Sequence, residues 1–577
     1  MEDDFDTFMS ALKAEEDQVR QELSSDRMGF FPVYAMREYD FFTNKFKEKV
    51  RRGDDSEEME ETHYLLRLGL PRGLALALSL RDQYDVPTLM PVHNESLAAK
   101  ARQTIIRLGV IEHGRRLAVA SKIGELRLRR TSQRSYEFTL PVAWIDYDRF
   151  EEAVEQHFAQ QGMQKYFEEY KRSKATQGLE EELNQLAHEN VFVYMDHFIG
   201  YNAHPTLDDH FFGLAYFFVS VTPGFDSFRF DLKFGGVSYI KYMLAVVYVY
   251  SLALKHEWFC RALVRKHPEI DPRNILTISA EKEGFVADFA EALNMYGPSF
   301  DGFTFTTSAE LETIYKVLSA RRENIDVLRP NGAPIPMLLE FSETSVFRCL
   351  AGAQESPIQV LLNGLRYHFP DDYNANQQTR EASLQRATER ILRGGNNGLK
   401  FKRNVVLKDQ GRDLTDIDLV VAEESSNTVL LFQIKAQDSY GMELNARMNR
   451  SKRFSEASRR WVDVTKNWMA RTDAQELRDR FGMKRSPEAP KVRLVVLSRF
   501  FAHFGFEQET SEDVTFCTWF QFFNAVTKTE SRHGQMRTLE TLFSWIVRDE
   551  IRRNVNRTTW FERNLILENV EFATVNE

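Results

Sequence analysis

TDIDLVVAEESSNTVLLFQIKA, running from Thr415 to Ala436, reads as a β-hairpin. In its first arm, Ile417 to Ala422, the residues Ile417, Leu419 and Val421 alternate with Asp418 and Val420, the period of two that a half-buried strand requires. Glu423 to Asn427 is polar, and Ser425, Ser426 and Asn427 mark a turn. The second arm, Thr428 to Ala436, puts Leu431, Gln433 and Lys435 on one face and Leu430, Phe432 and Ile434 on the other. An acid early in one strand then stands beside a Gln and a Lys late in its neighbour. A carboxylate with a second oxygen ligand nearby can hold a hard divalent cation, and an ammonium can polarise water or offset charge on phosphate. Asp416 shares the side-chain direction of Asp418, but Asp418 is preferred because it directly abuts the apolar run.

The flanks extend the pattern. Thr379 to Arg393 reads as a helix with Leu384, Ala387 and Ile391 on one face and Gly394-Gly395 as its stop. In Leu399 to Lys408 the residues Leu399, Phe401, Val405 and Leu407 alternate with basic and polar ones, as in a strand. After the hairpin, Phe454, Ala457, Trp461, Val464 and Trp468 recur at spacings of three and four, an amphipathic helix whose aromatic stripe is read as core. Val492 to Leu497, VRLVVL, is the nearly continuous apolar run of a buried strand. Val514 to Trp519 reads as a further strand, Phe520 to Thr527 as a helix, and the tail as helical through Arg552.

Asp418, a hairpin, then Gln433-Ile434-Lys435, set in the order helix, strand, hairpin, helix, strand, resembles the PD-(D/E)xK superfamily, and within it the Mrr-like branch in which the last element is QxK. The resemblance covers roughly the last third of the chain. It implies an αβββαβ core of the restriction-endonuclease-like fold that cleaves phosphodiester bonds with Mg²⁺, with Mn²⁺ as substitute. By that resemblance Asp418 binds the metal, Gln433 completes or orients its shell, and the Ile434 carbonyl adds a ligand. Lys435 positions the attacking water or neutralises the scissile phosphate. An acid on the first helix is also implied. Glu389 is the preferred candidate, set about three turns before the first strand, and Glu381, about two turns earlier on nearly the same side, is its rival. DNA is the substrate that the family implies, with RNA left open, and a role in defence against foreign DNA is analogy alone. Arg447, Arg450, Lys452, Arg453, Arg459, Arg460 and Lys466 lie on or just before the amphipathic helix. Of these, Arg450, Lys452, Arg453 and Arg460 are the expected phosphate contacts, since guanidinium groups pair well with phosphate oxygens.

A chain of 577 residues with 43% hydrophobic and 12% aromatic content has material for several folded domains. The expected class is α+β and multidomain: a mixed α/β region with a basic patch over 1–145, a helix-rich middle over 146–372, and the nuclease-like domain over 373–577, with a hinge at Pro370 to Gln378. Three cysteines, Cys260, Cys349 and Cys517, match neither a zinc spacing nor a disulfide framework, which suits a reducing cytoplasm. The first ten residues lack an apolar signal core. Tyr242 to Leu254 is too short to span a bilayer and reads as a buried helix, so no membrane partner is expected. A homo-oligomer or partner subunit is compatible with the sequence.

A net charge of −10 disfavours nucleic-acid binding by the whole surface, so local charge decides. The first 26 residues are acidic. Arg102 to Arg134 is rich in arginine and is read as a helix, Ser96 to Leu108, leading into strands near Arg115 to Ile123 and Glu125 to Arg130. Its basic face suits either phosphate or an acidic partner domain. Phe150 to Glu189 is helical by composition. Asp196, His197, His204, Asp208, Asp209 and His210 could supply metal ligands, although loop polarity and helix capping explain them better. If the chemistry has been lost, the same C-terminal fold remains as a nucleic-acid-binding or scaffold module.

Overall fold

The computed structural model of the chain describes residues 2–25, 29–54, 56–80, 91–122, 126–140, 178–220, 227–340, 342–395, 398–436, 444–499, 512–531, 538–548 and 564–576. It is mixed α/β, with helices dominating the N-terminal region and the larger sheet in the C-terminal part.

Four helices open the chain: α1 (Glu2–Leu23), α2 (Phe31–Arg52), α3 (Glu57–Leu80) and α4 (Glu95–Lys122). The helices α3 and α4 touch backbone to backbone because Gly69 and Gly109 face each other; a Cβ on either would collide with the carbonyl of Ile105 or Leu65. Where a strand was expected at Arg115 to Ile123, residues 115–122 are instead the end of α4, and Ile123 lies outside the described residues. There Leu117 and Ala118 are buried in the core, and Gly114 makes room for Leu12 and Phe572. The arginines of this helix meet the acidic first helix. Arg107 reaches Glu15 at 2.7 Å and Glu22 at 2.9 Å, Arg115 pairs with Glu16 and, at 2.5 Å, with Glu112, and Arg102 reaches Glu38 of α2 at 2.8 Å. Of the two partners left open for this basic face, these groups take the acidic one.

Strands β1 (Arg127–Arg130) and β2 (Ser135–Leu140) follow, and residues 141–177, where part of the expected helix over 150–189 falls, lie outside the described residues. The middle region holds α5 (Leu179–Asn190), β3 (Val191–Tyr194), β4 (Phe198–Tyr201), α6 (Pro205–Ser220), β5 (Lys233–Phe234), β6 (Val237–Ser238) and α7 (Tyr239–Lys266). It continues through β7 (Ile278–Glu281), α8 (Lys282–Tyr296), α9 (Ser308–Leu318), β8 (Ser319–Ala320), β9 (Leu338–Glu340), β10 (Ser345–Arg348), α10 (Leu350–Glu355) and α11 (Pro357–His368). The helix α7 is the buried one expected at Tyr242 to Leu254, and among the described residues no helix is long and apolar enough to cross a membrane. Asp208 pairs with Lys255 and Asp209 accepts a hydrogen bond from Tyr296 at 2.9 Å, so these two acids have structural partners.

The expected hinge at 370–378 is the start of one continuous helix, α12 (Pro370–Gly395). Pro370 presets the first turn, Asp371 and Asp372 suit its positive end, and Tyr373 is fully buried against Phe228 and Phe234. Those features outweigh the Asn- and Gln-rich composition that suggests a loop. The N-terminal half of α12 is therefore anchored in the middle region, where Asn376 donates to the Lys233 carbonyl at 2.9 Å. Its C-terminal half lies on the next sheet.

That sheet comprises β11 (Leu399–Asp409), β12 (Arg412–Glu423), β13 (Thr428–Lys435), β14 (Lys491–Ser498) and β15 (Val514–Thr518), in that spatial order. The first three strands pair antiparallel and the last three parallel. Between β13 and β14 run α13 (Leu444–Met469) and α14 (Ala474–Phe481); α15 (Trp519–Ser531) and α16 (Leu539–Arg548) follow β15. One face packs Leu431, Val429 and Val496 against Phe454, Trp461 and Trp468 of α13. The other packs Leu430, Phe432, Ile434 and Val495 against Leu384 and Leu392 of α12 and against Phe522 and Phe543. Layers on both faces explain why VRLVVL is apolar but for Arg493, which pairs with Asp513 and with Glu540 of α16.

The last strands, β16 (Asn564–Ile566) and β17 (Glu571–Asn576), leave this sheet altogether. The strand β17 pairs in parallel with β2, so the N-terminal sheet has the order β1-β2-β17-β16. Phe572 is buried there against Phe8 and Phe138. The C-terminal segment 373–577 thus contributes to two sheets.

Candidate active site

The site begins with an irregularity in β11 and β12. Leu399 and Phe401 pack on one face of the sheet, whereas Val405 and Leu407, of the same parity, pack on the other. Across the ladder Leu419 and Val421 share a face, while Ile417 joins Val420 and Ala422 on the opposite one. The expected grouping of Ile417 with Leu419 and Val421 therefore fails, because both strands reverse their facing at the rung of Asn404 and Asp418. Asn404 has φ = 51° there, a left-handed conformation that Asn tolerates better than most residues. Gln385 of α12 holds this rung through Nε2, which donates to the Asp418 carbonyl and to Asn404 Oδ1, the latter at 2.9 Å.

Beyond Leu419 and Phe432 the β12–β13 ladder stops, and the Asp418 side chain takes over from backbone pairing. Its Oδ2 accepts from the backbone N–H of Ile434 at 2.6 Å and from Gln433 Nε2 at 2.7 Å. Burial pushes the Asp418 carboxyl up to about 6; the Ile434 N–H and the Lys435 ammonium oppose that rise, and Glu381 and Asp416 add to it. Gln433 is itself buried, so its amide is held in place. Lys435, at the end of β13, approaches Glu381 with Nζ 3.6 Å from Oε1. One corner of the sheet thus gathers Asp418, Gln433, Ile434, Lys435 and Glu381.

Glu389, the helix acid preferred from the sequence, is not in that corner. It is buried between two guanidinium groups, with Arg393 Nη2 at 2.6 Å from Oε1 and Arg403 Nε at 2.6 Å from Oε2, and these hold its carboxyl below the usual range even though burial opposes them. The positions differ by eight residues on one helix, and α12 crosses the sheet so that Glu381, not Glu389, meets the open end of β13. Gln385 was not foreseen as a site residue, although its place one turn from Glu381 on the same helix face carried the signal. Asn404 offered none, because a left-handed residue inside a strand leaves no periodic trace.

The oxygen donors here are two carboxylates, the Gln433 amide and the Ile434 carbonyl. They fit a hard cation such as Mg²⁺ or Mn²⁺, and a desolvated carboxyl with acids beside it is what a divalent charge would relieve. Among the described residues no group of three or more His, Cys, Asp or Glu side chains forms a ligand cluster. Water or phosphate oxygens would therefore have to complete any shell.

On α13, Lys452, Arg453 and Arg460 are exposed, while Arg450 belongs to the helix but its side chain lies outside the described residues. Trp461 and Trp468 are core, as expected from their spacing. Their indole N–H groups donate to the carbonyls of Asp416 at 2.9 Å and Lys408 at 3.1 Å, fixing the helix to the hairpin. No family model, no curated protein and no solved structure matches this chain.

Proposed function

We propose that the chain is a metal-dependent nuclease of the PD-(D/E)xK type, with Asp418, Gln433, Ile434, Lys435 and Glu381 as its working group and Glu381 in the role first given to Glu389. The observation that carries this reading is the splayed end of β12 and β13. There the Asp418 carboxylate, the QIK segment and a helix acid meet, on a mixed sheet whose helix–strand–strand–strand–helix–strand order supports the resemblance. A bound divalent cation supplies charge neutralisation on phosphate and a more acidic water. The chain's own groups do the rest. Both described hydrogen bonds to the Asp418 carboxylate fall on Oδ2, which fixes its plane, and Oδ1 is the oxygen proposed to meet a ligand. Gln433 and the Ile434 N–H set that orientation, and Lys435 presents an ammonium to a phosphate oxygen or to the attacking water. Glu381 holds Lys435 in place and can take up a second ligand water. DNA is the proposed substrate.

The test is supercoiled plasmid and single-stranded oligonucleotide cleavage across a Mg²⁺ and Mn²⁺ titration. Asp418→Asn and Glu381→Gln should each lower the rate by about 10²-fold or more while melting like the parent, and Glu389→Gln should retain activity if it folds. Unchanged cleavage by Asp418→Asn would overturn the proposal. Salt-sensitive nucleic-acid binding by a parent chain that never cuts would assign it instead to binding without chemistry.

A further inference from the structure

Glu389, the acid that the catalytic group leaves aside, organises a second surface. It is 6% exposed, and a buried carboxylate needs partners. One comes from α12 and one from β11. Arg393 Nε and Nη2 donate to Oε1 at 2.9 Å and 2.6 Å, and Arg403 Nε donates to Oε2 at 2.6 Å. Two guanidinium groups share one negative charge, so a positive charge is left over. The Arg393 and Arg403 side chains are 58% and 48% exposed. Among the described residues, both Nη atoms of Arg403 and Nη1 of Arg393 have no hydrogen-bond partner. Phe401 lies beneath Arg393, its ring centre 4.3 Å from the guanidinium carbon. A buried acid and a ring thus hold in place two side chains that would otherwise pay a large rotamer entropy to bind anything.

The helix extends this charge. Arg386, Arg390 and Arg393, spaced by four and three, share one side of α12, and all three are exposed. Leu384 and Leu392 bury the other side on the sheet. Arg386 Nε donates to the Ala382 carbonyl of its own helix at 3.2 Å, and Arg390 has no side-chain partner among the described residues. Four guanidinium groups therefore stand against one carboxylate, in a chain whose net charge is −10. From Arg386 to Arg393 the helix rises about 10 Å, roughly the rise of three phosphates along one strand of a duplex. A planar, permanently charged fork is matched to phosphate oxygens. The surface also starts beside the catalytic corner. Arg386 follows Gln385, and Arg403 precedes Asn404, whose rung carries Asp418. It is separate from the basic side of α13, because α12 and α13 cover opposite faces of the sheet.

We infer that this α12–β11 surface binds the phosphate backbone of a nucleic-acid duplex. Arg393 and Arg403 form a clamp that Glu389 positions, and Arg386 and Arg390 add further phosphate contacts. The inference rests on the nuclease reading only in taking the duplex to be the substrate on one side of the cut.

The experiment uses the full chain in EDTA, so that nothing is cut. Fluorescence anisotropy follows its binding to a labelled duplex of about 20 base pairs, from about 50 to 300 mM KCl. Arg393→Gln and Arg403→Gln should each weaken binding by about tenfold or more, the loss of hydrogen bonds to a charged group. Each should also flatten the plot of log affinity against log salt by roughly one unit. Arg390→Glu should do the same, and its exposed position, with no partner to lose, keeps the test open if the other two variants fold poorly. Glu389→Gln separates a clamp from diffuse charge. It makes the chain one charge more positive, so diffuse charge predicts tighter binding, whereas a clamp without its anchor binds more weakly. The inference is overturned if folded Arg393→Gln and Arg390→Glu chains match the parent in affinity and slope, or if folded Glu389→Gln binds no more weakly than the parent. It is also overturned if the parent binds poly-L-glutamate and no duplex, which would assign the surface to an acidic protein. A parent that binds through these arginines and never cuts would remove the nuclease reading alone. A parent that cuts, with arginine variants that bind as it does, would remove this inference alone.

Discussion

Asp418 sets the behaviour of its surroundings through one number. Its carboxyl lies at about 6 against an ordinary 3.8, so the folded chain binds more protons than the unfolded one between those values. Stability must then fall as pH rises through that window, with the full cost, on the order of 3 kcal/mol, present above about pH 6. Metal-free melts of the parent and of Asp418→Asn, run from pH 4 to 7.5, should show the variant gaining on the parent as pH rises; parallel curves would mean that the carboxyl is not desolvated. Gln433 sharpens the same point. Its amide donates to Asp418 at 2.7 Å, and Gln433→Glu replaces that donor with a second acid. The free variant should melt lower at pH 7.5 and bind Mn²⁺ about tenfold or more tightly in calorimetry, because a carboxylate brings the formal charge an amide lacks. Equal metal affinity in variant and parent would remove Gln433 from the shell. That Asp418 stands near Gln433 and Lys435 was legible from the hairpin pattern. The choice between Glu381 and Glu389 was not, because helical phase places both on one side and only the crossing of α12 over the sheet separates them.

At the level of elements, amphipathic pattern carried most of the reading. The hairpin, the strand before it, the aromatic stripe of α13 and the buried strand β14 all announce themselves by period, since each buries one face or both. The reversal of facing at Asn404 and Asp418 did not, because a backbone turn inside a strand leaves the alternation of residue types intact. Composition misled at α12, where Asn and Gln suggested a loop and buried Tyr373 makes a strut. The strand expected near Arg115 was also wrong, since α4 continues to Lys122 with Leu117 and Ala118 buried in the core. On α13 the exposed Arg453 and Arg460 flank the buried stripe of Phe454 and Trp461, which leaves their guanidinium groups in solvent, where they can meet a phosphate backbone. Replacing both with Ala should weaken DNA binding and flatten the plot of log affinity against log salt by roughly one unit per lost contact. Lysines at the two positions should restore much of the slope, and an unchanged slope in the Ala variant would leave these residues as ordinary surface.

At the scale of the whole molecule, β17 joins the N-terminal core from far along the chain. Phe572 is 1% exposed and meets Phe8 and Phe138 edge-on, with ring centres 5.4 Å and 6.2 Å apart. Phe572→Ala should cost about 3–5 kcal/mol, read as a lower urea midpoint. A loss under about 1 kcal/mol would mean that β17 merely rests on the N-terminal core. Nothing in the sequence identified this pairing. Residues 571–576 form a short alternating strand that any exposed sheet edge could accept, and periodicity is silent on partners so distant along the chain.

The parallel pairing of β2 with β17 also sets a timetable. Ser135 hydrogen-bonds Glu571 across 436 residues, and at about 5–20 residues per second a ribosome needs roughly 20 to 90 seconds to cover that interval. Throughout it the edge of β2 waits without the strand that closes it, while the large sheet between them is made and begins to fold. The N-terminal sheet is thus sealed last. A product terminated early, even one that carries Asp418, Gln433 and Lys435 intact, would emerge with that edge open and be exposed to aggregation and proteolysis.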